Sequence, residues 1–129
     1  MRKSVFLTAV FLTGVMSLFA HHGTGASYDQ SKSVTLNGTV TEFVFSNPHA
    51  QLFFDVKDSS GTLVHWGGEL QSPANLRRDG WLKTTFKAGD QLTITVHPSK
   101  AGTPVGVVDR SKPVVLNGKP LPAPTSNAE

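Results

Sequence analysis

Histidine carries the richest chemistry in this sequence, at His21, His22, His49, His65 and His97. Imidazole is the commonest protein ligand for transition metals, and it titrates close to physiological pH. His21 and His22 are adjacent, and Ala20 before them suits the last residue removed by a signal peptidase. A chain starting at His21 presents a free α-amine beside two imidazoles. Nitrogen donors rank divalent copper above the other first-row divalent ions. His49 follows Pro48 in the run Asn47, Pro48, His49, where a stiff loop presents a side chain outward, and His97 precedes Pro98 at a strand end. The candidate metal set is therefore His21, His22, His49 and His97, with copper the expected metal and no other cofactor indicated. The plain alternatives are a solvated tail for the histidine pair, a loop-stabilising hydrogen bond for His49, and ordinary strand positions for His65 and His97.

What precedes the pair decides whether it is used. Arg2 and Lys3 are followed by an uncharged run of 16 residues, Ser4 to Phe19, the layout of a secretory signal. That run is shorter than the roughly 20 apolar residues needed to cross a bilayer. Residues 1–20 are thus expected to be removed, leaving a periplasmic or secreted protein that is not embedded in the membrane. Leu18 is larger than the small residue favoured two places before a cut. Cutting after Ala26, with Thr24 before it, fits that rule better and would discard both histidines. The chain has no cysteine, which excludes lipidation through a thiol and disulfide staples, so burial must carry stability. Of twelve Lys and Arg, two leave with the leader, and ten against nine acidic residues leave +1. The basic residues are scattered, with only Arg77 and Arg78 adjacent, so a nucleic-acid partner is not expected.

The elements that must position these histidines read mostly as strands. Val34 to Phe45 alternates with Val34, Leu36, Val40 and Val44 on one face, Gln51 to Lys57 with Leu52, Phe54 and Val56, and Gln91 to His97 with Leu92, Ile94 and Val96. Thr62 to Leu70 follows a turn at Asp58 to Gly61, with His65 and Trp66 on opposite faces, and Val105 to Val108 and Pro113 to Leu116 add one or two strands. Ser72 as cap, Pro73 at the first position and Gly80 at the close predict one helix of about two turns. An all-β, mainly antiparallel barrel of five or six strands follows, partly open, of the oligonucleotide/oligosaccharide-binding type, with a small sandwich as the alternative. Residues 21–119 form one domain on this reading, and 120–129, polar and proline-rich, a disordered tail.

Several stretches carry a resemblance. HHGTGASYD, VTLNGTVTEFVFSNPH, WGGEL, SPANLRRDGWLKTTFKAGD and LTITVHPSKAG are similar to the bacterial secreted family called domain of unknown function 6152. The family pattern begins with paired histidines and has Asn-Pro-His after the first strand, matching His21, His22, Asn47, Pro48 and His49. It counts the pair as part of the domain, which implies that the pair survives cleavage. Many members have Ser or Thr after the pair, where this chain has Gly23. The resemblance implies a fold and a place, and no activity.

Enzyme chemistry is not expected, because nucleophile elbows, cysteine nucleophiles, HExxH and phosphate loops are all missing from the sequence. Asp55 and Glu69 face the same side of neighbouring strands, as solvated carboxylates commonly do. Alternation puts Phe43, Phe45 and Phe53 on the non-core side, either as a stacking platform for sugars or bases or beneath a second core layer. Trp66 and Trp81 read as packing residues. Two functions remain: a metal-binding barrel, and a metal-free module that engages an envelope protein or a saccharide.

Overall fold

Valine and threonine dominate Val34–Val44, and this β-branched run forms the longest strand, β1, in a computed structural model that describes residues 27–125. The leader, His21, His22 and the last four residues lie outside the described residues. Five further strands and a helix follow in the expected places: β2 (Gln51–Lys57), β3 (Leu63–Glu69), α1 (Pro73–Arg78), β4 (Gln91–Pro98), β5 (Val105–Val108) and β6 (Val115–Leu116), with a short β7 (Lys119–Pro120) after them. The β2–β3 turn is tied by Asp58, whose carboxylate accepts from the amides of Ser60 and Thr62 at 2.8 and 3.0 Å. The Ser60 hydroxyl, and after it the amides of Thr62 and Ser60, hold the Asp58 carboxyl below its ordinary range. Ser72 caps α1 through its hydroxyl, and Gly80 after it takes φ 87°, open to glycine without strain.

Length lets β1 do two jobs. Its first half pairs with β4 (Leu36 opposite Ile94) and its second half with β2 (Val40 opposite Phe54). β2 pairs with β3, β3 with β5 and β5 with β4, so the hydrogen bonds run β1-β2-β3-β5-β4 and back to β1. The expected barrel is present, and its ladder closes into a ring of five. A ring with an odd number of strands cannot alternate direction throughout, and the one parallel pair is β3 with β5. Leu52, Phe54, Ile94 and Val96 point inward as their alternation requires and are fully buried. Leu76 of α1, with Trp81 and Phe86 from the segment after it, adds to the same core.

One expectation about facing is reversed. Register slips between Val40 and Glu42, where Thr41 is the extra residue of a β-bulge. Beyond it the inward set changes parity, so Phe43 lies opposite buried Leu52 and Val44 opposite exposed Gln51. Phe43 packs edge-on against Phe86 with ring centroids 4.9 Å apart, and Phe45 lies beneath the Arg77 guanidinium at 5.0 Å. Of the three aromatics assigned to the outside, only Phe53 stays there.

Composition also misjudges the tail. Through Thr125 it is docked: the Trp81 indole N–H donates to Pro122 O at 2.9 Å, Leu121 N to Val114 O at 2.8 Å, and Thr125 N to Asp79 Oδ1 at 3.0 Å. Prolines restrict the unfolded chain, so ordering such a strap costs less entropy than its polarity suggests.

Candidate functional site

Backbone bonds set the site. Ala50 N donates to Gln71 O at 3.0 Å and Leu70 N to Ala50 O at 2.8 Å, prolonging the β2–β3 ladder past the ends of both strands. His49 and Glu69 sit on either side of that extension. Their side chains meet with His49 Nδ1 2.6 Å from Glu69 Oε1. Because an ionised carboxylate only accepts, the Nδ1 proton is the one held, and in the neutral ring the Nε2 lone pair is left open. The His49 side chain is about half exposed.

The second oxygen of Glu69 is also taken. Tyr28 donates its hydroxyl to Glu69 Oε2 at 2.9 Å. Tyr28 reaches this carboxylate because the segment around it is pinned to β4 and its extension: Asp29 N donates to Pro98 O at 2.9 Å, Lys100 N to Ser27 O at 3.1 Å, and Tyr28 bridges Ser99. Burial, then the hydrogen bond to Glu69 and the charge of Glu69, push the Tyr28 phenol up to about 12. It therefore remains a protonated donor at any physiological pH.

The other two described histidines are elsewhere. His97 Nδ1 donates to Lys32 O at 2.7 Å, and its Nε2 faces Asp109 Oδ2 at 3.8 Å. His97 thus anchors the segment before β1, and Asp109 is held low chiefly by the Ser111 hydroxyl, with His97 a smaller contributor. On the sheet, His97 and Glu69 both lie opposite Val107, one on each side of β5. Two strand spacings, roughly 10 Å, separate them. The structure does not bring His97 to His49. His65 Nδ1 lies 2.7 Å from Asp55 Oδ1, and its ring stacks 6° from parallel on Phe53 with centroids 5.9 Å apart. Among the described residues, no group of three His, Cys, Asp or Glu gathers to hold a metal.

Sequence reading missed the part played by Glu69 and Tyr28. Asp55 and Glu69 do share the outward face, yet each takes a histidine of its own, because Asp55 lies opposite His65 and Glu69 opposite Gln51 beside the His49 loop. The readable signal was the alternation of His65, Gly67 and Glu69 on one face. The register that joins Glu69 to His49 is a property of the pairing and has no local mark.

No curated protein and no solved structure matches the chain. A family model does, over residues 10–111, a span that includes His21, His22, Asn47, Pro48, His49 and Glu69, and the chain accordingly belongs to the family of unknown function DUF6152.

Proposed function

We propose that this protein works outside the cytoplasm and binds one divalent transition metal ion, copper foremost, through His21, His22 and the Nε2 of His49. The observation that supports this reading is Glu69, which holds His49 by one oxygen and Tyr28 by the other. A carboxylate on the far nitrogen of a ligating histidine fixes its tautomer and raises its basicity, the usual outer shell of a histidine metal site. His22 precedes Tyr28 by six residues. An extended chain of that length spans at most roughly 20 Å, which keeps the pair within reach of His49. A start at His21 adds the α-amine, which releases its proton to copper far more readily than a peptide nitrogen does. His97 is left out of the set because it lies across β5 from Glu69, two strand spacings or roughly 10 Å away.

Processing and affinity test the reading together. Intact mass of the protein recovered from the periplasm should give a chain beginning at His21, and a start at Ser27 would remove the pair and the proposal with it. Calorimetric titration with copper(II) should show one tight site in that form. An added residue before His21 should weaken binding about tenfold or more, and Glu69→Gln should weaken it 10- to 100-fold through the orientation of His49. Equal affinities for the native and extended starts, or for Glu69→Gln and the parent, would reduce the pair to a solvated tail.

A further inference from the structure

The outward residues of β2, Gln51, Phe53, Asp55 and Lys57, lie opposite Glu69, Gly67, His65 and Leu63 of β3. Over Gly67 there is a bay of about 130 Å³, walled by Phe53 and Val105 and edged by Gln51, Tyr28 and Glu69. A Cβ on Gly67 would stand 3.4 Å from Phe53 Cε1 and 3.5 Å from Val105 Cγ1, so the missing side chain is what opens the bay. Past the far end of the same row is a cavity of about 600 Å³ lined by Asn37, Thr39, Asp55, Lys57, Gln91 and Thr93. The stacked rings of Phe53 and His65 lie between the two. From Gln51 to Lys57 the row is roughly 20 Å long.

The groups along this groove select a ligand. Thr93 donates to Asn37 Oδ1 at 2.7 Å, which leaves the Asn37 amide protons for another acceptor, and Gln91 Nε2 donates to Thr39 at 3.3 Å, which leaves Gln91 Oε1 for another donor. Glu69 takes one hydrogen bond on each oxygen and has lone pairs to spare. The groove thus offers donors and acceptors together on either side of an aromatic pair, half-buried Phe53 and exposed His65. A sugar ring is the complement of such a surface: its C–H face is apolar and its rim hydroxyls both donate and accept. Chains of phosphates or sulfates fit badly, because Asp55 and Glu69 oppose the single cation Lys57 among these lining residues.

We propose that the outer face of β2 and β3 binds a neutral glycan chain, one ring lying over Phe53 and neighbouring units reaching the bay at Gly67 and the cavity at Asn37, whose lining mixes polar side chains with Leu63, Leu92 and Val115. This site does not depend on the metal reading.

Affinity electrophoresis tests it, with the mature protein run through gels containing a soluble β-glucan, xylan, galactomannan or α-glucan, and heparin and single-stranded DNA in parallel. At least one neutral polysaccharide should retard the protein. Phe53→Ala and Gly67→Val should each weaken that retardation at least tenfold and Asn37→Ala several-fold, while added chelator leaves it unchanged. Valine suits a strand and Phe53 points outward, so both main variants should fold, which the midpoint of thermal unfolding checks, and Phe53→Ala decides alone if Gly67→Val does not. Retardation by none of the four polysaccharides, by heparin or DNA alone, or to an equal degree in parent and Phe53→Ala overturns the proposal. Loss in His49→Ala with retention in Phe53→Ala overturns it too, and moves the ligand to the histidine end.

Discussion

Replacing Phe54 by alanine should remove about 3 to 5 kcal/mol of stability, measured by urea unfolding with an unchanged slope. Phe54 is fully buried and lies opposite Val40 on one side and Trp66 on the other. The room for its ring comes from two glycines: a Cβ on Gly38 would stand 3.1 Å from Phe54 Cδ2, and one on Gly68 3.6 Å from Phe54 Cε1. Glycines have no side chain to move into the space a lost ring leaves, so the cavity persists and its full cost is felt. The chain has no disulfide to share the load. Against the 5–15 kcal/mol typical of a domain, such a loss leaves little. A change under about 1 kcal/mol would mean that Phe54 is not at the centre of the barrel.

That residue was legible in advance because strict alternation over Leu52, Phe54 and Val56 admits one facing. The same rule misplaced Phe43 and Phe45, since alternation assumes an unbroken pleat and the bulge at Thr41 inserts one residue. Nothing in the local composition around Thr41 marks it: Thr-Glu-Phe-Val continues a plausible strand on either phase. The cap, helix and Gly80 stop were readable because each is a short-range hydrogen-bonding device. The candidate site was half readable. His49 stood out by residue type and by the proline before it, whereas its partner Glu69 lies 20 residues on and reaches it through the ladder of Ala50 and Leu70. The place of His97 was hidden for a related reason, because the pairing that sets it across β5 from Glu69 has no signature in the sequence. The tail was misread because the Trp81 indole and the Asp79 carboxylate that hold it are distant in the chain.

Asp79 is where the second large effect is expected. Its side chain is almost wholly buried, as is that of Arg110, whose Nη2 donates to Asp79 Oδ2 at 3.1 Å. The guanidinium also lies over the Trp81 ring, 3.9 Å from its centroid. Burial pushes Arg110 down from its ordinary pKa, and the charge of Asp79 and its hydrogen bond oppose that push. Asp79→Ala leaves a buried guanidinium without its counter-charge, which should cost about 3 to 5 kcal/mol. It also frees Thr125, whose amide and hydroxyl donate to Asp79 Oδ1 at 3.0 and 3.1 Å, so hydrogen exchange at the Thr125 amide should accelerate. The pair itself is expected to be a weak net stabiliser. Arg110 Nη1 is buried with no hydrogen-bond partner among the described residues, so the intact ion pair carries a desolvation cost they leave unmet. Removing both charges with Asp79→Leu and Arg110→Met should therefore restore most of what Asp79→Ala loses, as replacing a buried pair by apolar groups often does. Exchange at Thr125 should stay fast in the double variant, because its acceptor is still gone. If the double variant is as unstable as Asp79→Ala, the cost lies in the loss of the strap's anchor, and the stranded charge is not its cause.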